Sequence, residues 1–163
     1  ATNVNRLIAD YLDGSEWFPR ASIATLASAM DVGYASNMER LRSLLGNAER
    51  IRQCLRVFSV SDDEIRRQIR KDYRRFGFAV CPHTATATCA YDQLSEAERT
   101  HEDWILVATA HAAKFEVIVE PLIGVTVPVP DALAQLLSRP SRVVTIDPDS
   151  GSLTKALENH FAT

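Results

Sequence analysis

The stretch ILVATAHAAKF, from Ile105 to Phe115, decides how the rest of the chain is read. With Trp104 before it, the run to Ala108 is five apolar residues long, the pattern of a parallel strand covered on both faces. The run stops at Thr109. His111 follows, and from about Ala112 the spacing of Phe115, Val119 and Leu122 predicts a helix, with Gly124 near its end and Pro121 placed to kink or shorten it. A strand that runs straight into a helix is the unit of an open parallel sheet. In such sheets ligands collect outside the carboxyl ends of strands, where helix N-termini offer free amides. Thr109 and His111 stand at that junction. A threonine there also serves as a helix cap, and a histidine there as an ordinary surface residue.

Working outward, helices are marked by their caps. Asn3 is placed to cap a first helix carrying Leu7, Ile8, Tyr11 and Leu12 on one face, stopped by Gly14. Residues 15–35 are rich in Gly, Pro, Ser and Thr and read as a folded loop near the site. A helical segment spans 36–76. In it, Ser36 with Glu39 has the form of a capping box before Met38, Leu41, Leu44 and Leu45; a helix from Ala48 to about Phe58 follows. The clearest helix begins after Ser61, with Glu64 as its capping partner and Val60 and Ile65 as a staple. Ile65, Ile69, Tyr73 and Phe76 share its face, and Gly77 stops it. Its six Arg and Lys residues between Arg66 and Arg75 fall largely outside that stripe and read as a solvated face. Residues 77–124 hold a short strand broken by Pro82, a helix of small residues and the Thr-Ala-His motif. Residues 125–163 add an Asp131 to Leu137 helix, a VVTI strand and a last helix with Leu153, Leu157 and Phe161 on one face. Strands alternating with helices make the expected class α/β.

Composition bounds the function. The chain has 163 residues, 46% hydrophobic and 24% charged, the profile of a globular domain with one core. Its formal charge of −3 comes from 18 basic and 21 acidic residues, too even a balance for a nucleic-acid or anionic-membrane surface. Cys54, Cys81 and Cys89 have no paired-ligand spacing, which argues against a disulfide framework and a zinc site; Cys81 with His83 is two ligands short of one. No segment has the length of a membrane span, and a cytoplasmic location is expected. The start, ATNVN, enters a helical pattern almost at once, leaving no room for preceding strands, so a truncated chain is expected.

Several segments carry a resemblance in this order: ATNVN with RLIADYL, SIATLASAMDVGYASNMERL, DDEIRRQIRKDYRRFGF, CPHTATAT and ATAHAAKF. Together they resemble the C-terminal portion of the bacterial threonine synthases, over nearly the whole chain and least after about Val125. That family implies a pyridoxal phosphate enzyme of fold type II, which converts O-phospho-L-homoserine and water to L-threonine and phosphate. It also implies that the Schiff-base lysine and the loop holding the cofactor phosphate lie upstream. The lysines here, Lys71, Lys114 and Lys155, do not match that position. The chain therefore reads as the C-terminal part of the catalytic large domain, inactive by itself, with the N-terminal part of the same polypeptide as its partner.

In this resemblance Thr109 is the residue whose hydroxyl faces the pyridine nitrogen of the cofactor. A hydroxyl donates to an unprotonated ring nitrogen, whereas an aspartate holds a proton on it, so the electron sink is milder. His111 is expected to orient Thr109 or its loop. Asn3, Thr25, Ser28, Asp31 and His83 are the candidates near substrate; the first four also read as capping residues, and His83 opens the small-residue helix, whose N-terminus suits an anion. Arg6, Ala112 and Met38 depart from residues usual in the family, which touches local loop geometry and not Thr109. Two alternatives stand beside this reading: a non-catalytic complementing module, and a related fold type II enzyme acting on another hydroxy or phospho amino acid.

Overall fold

Ser61 sets the start of the longest helix. The computed structural model describes residues 1–137, 139–140 and 143–161. In it the Ser61 hydroxyl accepts from the Glu64 amide at 3.4 Å while the Glu64 carboxylate accepts from the Ser61 amide at 2.7 Å. This reciprocal cap begins α4, Asp62–Phe76, and Gly77, at φ 74° in the left-handed region, ends it. The helix buries Ile65, Gln68, Ile69 and Asp72 and packs on α5, Pro82–Asp92, and α7, Glu116–Ile123. Phe76 has the azimuth expected of the apolar stripe. In the last turn, however, it is exposed and stacks on Phe78, ring centroids 5.7 Å apart.

Three short helices precede α4: α1 (Leu7–Leu12), α2 (Met38–Leu45) and α3 (Ala48–Cys54). They close over a cluster of Leu12, Met38 and Ile51, with Tyr11, Trp17 and Leu41 packed against it. Two expected caps do not form. Arg6, not Asn3, occupies the N-cap of α1, and Asn3 is fully buried. Asn37, not Ser36, precedes α2, without a side-chain cap bond. The third helix stops at Cys54 rather than near Phe58, because Leu55 turns extended at φ −149°. The chain then reaches Ser59, which forms an isolated parallel bridge with Thr2, through Thr2 N to Phe58 O at 2.8 Å and Val60 N to Thr2 O at 2.9 Å.

That bridge is the only strand pairing among the described residues, so the expected parallel sheet is not formed within them. The Trp104–Ala108 run is not paired, and Ile105 and Val107 are 88% and 68% exposed. A parallel strand needs hydrogen-bonded neighbours, and none of the described segments lies alongside this one as a ladder. The same holds for VVTI, where Val143 and Val144 are exposed, and for the segment before Pro82, where Phe78 is exposed and Cys81 becomes the N-cap of α5. The helices of the expected α/β layering are present; its strands have no partners here.

The helix after the Thr-Ala-His motif opens as a 3-10 turn, Ala112–Phe115, and continues as α7 to Gly124, again at φ 74°. Pro121 sits inside α7 without ending it. Helix α6, Glu96–His101, is started by a second capping box, Ser95 with Glu98. All of this belongs to a first unit, Ala1–Pro128. The second, Val129–Thr163, holds α8 (Asp131–Leu137) and α9 (Ser150–Phe161). Asp149 opens α9 by accepting from the Ser152 amide at 2.9 Å and hydroxyl at 2.7 Å. The expected apolar face of α9 is uncovered, with Leu153, Leu157 and Phe161 exposed.

Candidate functional site

The loop of residues 15–35 is tied at its base by glycine. Arg20 N donates to Gly33 O at 2.9 Å, and a Cβ on Gly33 would lie 1.8 Å from the Arg20 carbonyl oxygen, so only glycine permits the closure. Farther along, Asn5 grips the loop as a strand would: its side-chain amide donates to Ile23 O and accepts from Ile23 N, both at 2.8 Å.

Asn3 is held by its neighbours and converges with two other candidates. The bridge to Ser59 fixes its backbone, and the Ser59 hydroxyl donates to Asn3 O at 2.9 Å. Its Nδ2 donates to Thr25 Oγ1 and Asp31 Oδ1, each at 2.7 Å, and to Ala27 O at 3.3 Å. Its Oδ1 accepts from the backbone and side-chain amides of Asn5, both at 2.9 Å. Asp31 also accepts from the Thr25 hydroxyl at 2.7 Å and the Thr25 amide at 2.9 Å. Asn3 thus spends its hydrogen-bonding groups inside the fold, as a fully buried amide must, and orders the loop rather than facing outward. Ser28 opens the 3-10 turn Ser28–Met30 with its side chain exposed.

His83 meets that turn from α5. Its Nε2 accepts from Ala29 N at 3.0 Å, and its ring lies 5.1 Å from that of Phe115, tilted by 56°. Burial lowers its pKa; the nearby Lys114 charge works the same way and Asp31 opposes. A neutral imidazole that accepts at Nε2 carries its proton on Nδ1. That Nδ1 is buried and has no partner among the described residues.

Thr109 is exposed, and its hydroxyl makes no hydrogen bond among the described residues. His111 does not reach back to it. Its Nδ1 accepts from Ala113 N at 3.1 Å and so caps the 3-10 turn Ala112–Phe115. A groove of about 640 Å³ runs beside the motif, lined by Ala108, Ala110, His111 and Ala112 on one side and by segments 77–80 and 125–128 on the other. Thr109 lies outside that lining. The structure therefore joins Asn3, Thr25 and Asp31 directly and adds His83 through Ala29. Phe115, which ends the turn that His111 caps, meets the His83 ring, and Thr109 is joined to none of them by a side-chain contact among the described residues.

Sequence reasoning did not find a second polar cluster, between α4 and α5. The buried Asp72 carboxylate accepts from the Thr88 hydroxyl and, at 2.8 Å, from Gln68 Nε2. Gln68 also donates to Asp92 at 2.8 Å, as does Lys71. Burial pushes the Asp72 carboxyl up; the Thr88 and Gln68 bonds pull against this and the Asp92 charge adds to it. At Asp92 burial acts upward too, but the Lys71 and Gln68 bonds with the Lys71 and Arg75 charges outweigh it. The available signal was periodicity: Gln68 and Asp72 are in phase with Ile65 and Ile69 on a buried face. Among the described residues no three His, Cys, Asp or Glu are grouped as a metal site, and no helix is long and apolar enough to cross a membrane.

Comparison with known proteins adds a family to this geometry. Residues 84–157 match the family described as threonine synthase, C-terminal. The chain is 32% identical to threonine synthase of Escherichia coli K12 over 161 residues, 98% of this chain and 36% of that protein. To the Serratia marcescens threonine synthase it is 34% identical over 158 residues, again spanning 36% of the relative. The crystal structure of the Escherichia coli enzyme superposes with a TM-score of 0.77 at 31% identity, over 98% of this chain and 36% of that one. A pyridoxal phosphate-bound threonine synthase from Brucella melitensis shares the fold at a TM-score of 0.73 and 22% identity, over 98% of this chain and 39% of that one. The chain thus spans little more than a third of the length of the relatives it matches.

Proposed function

The chain belongs with the threonine synthases, and from that premise we propose that it forms the C-terminal portion of a site converting O-phospho-L-homoserine and water to L-threonine and phosphate, with pyridoxal phosphate as cofactor. The observation that carries this reading is Thr109. Its hydroxyl is exposed and without an internal partner, at the end of an aliphatic run whose side chains are also left uncovered. That run is a strand awaiting neighbours, supplied in this reading by the two-thirds of the relatives' length outside the match. There the parallel sheet of fold type II would be completed.

The residues present fit the cofactor in part. An unpaired hydroxyl suits an unprotonated ring nitrogen, since it donates a hydrogen bond without transferring a proton. Alanines at 108, 110 and 112 leave room for a flat ring to approach. When bound, pyridoxal phosphate supplies the electron sink for proton removal from the substrate amino acid. Thr109 keeps that sink moderate, His111 fixes the turn behind it, and the Asn3–Thr25–Asp31 network fixes the loop carrying Ser28, whose exposed side chain is available to substrate. No lysine here suits the covalent anchor. Lys71 is paired to Asp92 at 2.8 Å, Lys114 is exposed beyond the motif, and Lys155 belongs to α9. The anchor therefore comes from polypeptide outside this chain, and the chain alone turns over no substrate.

The test uses the full protein. Phosphate release is measured from O-phosphohomoserine and from O-phosphoserine, together with cofactor content by absorbance. Thr109→Ala is expected to lower turnover about a hundredfold to a thousandfold, the scale of losing one donor in a preorganised site, while cofactor content changes little. Unchanged turnover removes Thr109 from the mechanism. No cofactor absorbance at all favours a complementing module, and preference for phosphoserine favours the related enzyme.

A further inference from the structure

Two halves of the candidate site are built from segments far apart in sequence, and one imidazole touches both. On one side His83 Nε2 accepts the Ala29 amide of the Ser28–Met30 turn, and that turn lies within the loop closed by the Asn3, Thr25 and Asp31 bonds. On the other side the His83 ring contacts Phe115, the last residue of the turn that His111 caps two positions after Thr109. Ala112 and Ala113 of that turn are buried, so its position is set by packing from below rather than by solvent. The His83 side chain is itself 7% exposed, which leaves it few alternative rotamers.

We infer that His83 is a positioning residue that couples the Asn3–Thr25–Asp31 loop to the turn behind Thr109, through the Ala29 hydrogen bond and the Phe115 ring contact. Substrate-facing loop and cofactor-facing threonine are then held by one side chain, so movement of either is felt by the other. The chemistry requires two properties in one residue: an acceptor at the position of Nε2 and a flat apolar face for Phe115. Glutamine supplies the first without the second, and phenylalanine the second without the first. Coupling of this kind is reciprocal, since each end biases the same element. The consequence for turnover rests on the reading of Thr109 given above; the coupling itself does not.

Hydrogen–deuterium exchange of the full protein separates the two. His83→Phe keeps the ring and loses the acceptor, and exchange is expected to rise roughly tenfold in residues 24–32, the factor one net hydrogen bond is worth, and also to rise across 105–116. Phe115→Leu cuts the other contact. It is expected to loosen 105–116 and, by reciprocity, 24–32, and this conservative change keeps the test available should His83→Phe not fold. His83→Gln, which keeps the acceptor and loses the ring contact, is expected to follow Phe115→Leu, loosening 105–116 and, through the coupling, 24–32 less than His83→Phe does. Changes confined to the near segment in both His83→Phe and Phe115→Leu overturn the coupling. In protein that shows cofactor absorbance, His83→Phe is expected to lower kcat about tenfold with little change in KM, and an unchanged kcat there overturns the positioning role. Absence of absorbance in the unaltered protein refutes the cofactor reading instead and leaves the exchange result to decide the coupling.

Discussion

Removing the Asp31 carboxylate should unfold the loop that carries the candidate site before it unfolds the core. Four donors converge on this side chain: Asn3 Nδ2 and the Thr25 hydroxyl at 2.7 Å, the Thr25 amide at 2.9 Å and Asn5 Nδ2 at 3.3 Å. Hydrogen bonds to a charged acceptor contribute about 1.5–3 kcal/mol each. They are not additive, since Thr25 and Asn3 also bond one another. Asp31→Ala takes the acceptor from the Thr25 amide and one of three acceptors from the fully buried Asn3 amide, which keeps Thr25 Oγ1 and Ala27 O, and we expect a loss of about 3–4 kcal/mol, dominated by the charge-assisted bonds lost together. At about 2–4 °C per kcal/mol for a domain of this size, Tm falls by roughly 6–16 °C. Asp31→Asn is the informative comparison. Its remaining oxygen still serves Asn3 and the Thr25 hydroxyl, but its NH2 group meets the Thr25 amide donor to donor, so a loss of about 1–2 kcal/mol is expected. Urea denaturation of both variants, with exchange measured in residues 24–32, reads the two magnitudes. If Asn proved as damaging as Ala, charge rather than donor geometry would govern the loop. A loss under about 1 kcal/mol for Ala would refute the network altogether.

Further outcomes follow from single contacts. Gly33→Ala should cost about 1–3 kcal/mol, the scale of overpacking, because its Cβ cannot fit against the Arg20 carbonyl; a melting temperature equal to the parent's would show that the loop base opens freely. Ser61→Ala should lower stability by about 1 kcal/mol through loss of the α4 cap, measured by urea unfolding. Burial holds the Asp72 carboxyl above its ordinary value in the folded protein, so the folded state holds a proton longer than the unfolded chain, and this group's contribution to stability is lost as pH rises from the ordinary value through the raised one. Asp72→Asn keeps acceptor and donor for Gln68 and Thr88 without the charge. Its stability relative to the parent should therefore rise across that window and level off above it, and a flat difference from pH 3 to 8 would contradict the buried-carboxylate argument.

Helices were legible in the sequence where their signals are local. Ser61, Glu64 and Gly77 lie within or next to the helix they delimit, and α4 forms between them. The same pattern at Ser36 and Glu39 misled, since a capping box only offers a start: here the Ser36 carbonyl accepts from Glu39 N at 3.3 Å and the helix begins after Asn37. Asn3 was legible as a candidate but not in its role, because its partners Thr25 and Asp31 are 22 and 28 residues away. Nothing local distinguishes a cap from a buried node. Gln68 and Asp72 went unnoticed for the opposite reason: apolar patterning treats every polar residue as outward, and a satisfied pair on a buried face breaks that assumption.

The apolar runs have the pattern of strands, and their exposure explains both the absence of a sheet among the described residues and the place of the candidate site. Periodicity reports that a segment is suited to burial on two faces; it cannot supply the neighbours that bury it. Ile105 and Val107 stay largely exposed, and grooves on either side of the run take in segments 77–80 and 52–56. An uncovered apolar segment with unpaired backbone is a template for another strand. The candidate cofactor contact, Thr109, stands at the end of this same run, where open parallel sheets place their ligands. The unfinished edge and the candidate site are therefore one feature. A site assembled where two parts of a fold meet can draw its anchor from one part and its ring-nitrogen donor from the other. On this account restoring the neighbouring strands should bury Ile105 and Val107, and should do so together with the appearance of cofactor absorbance rather than independently of it.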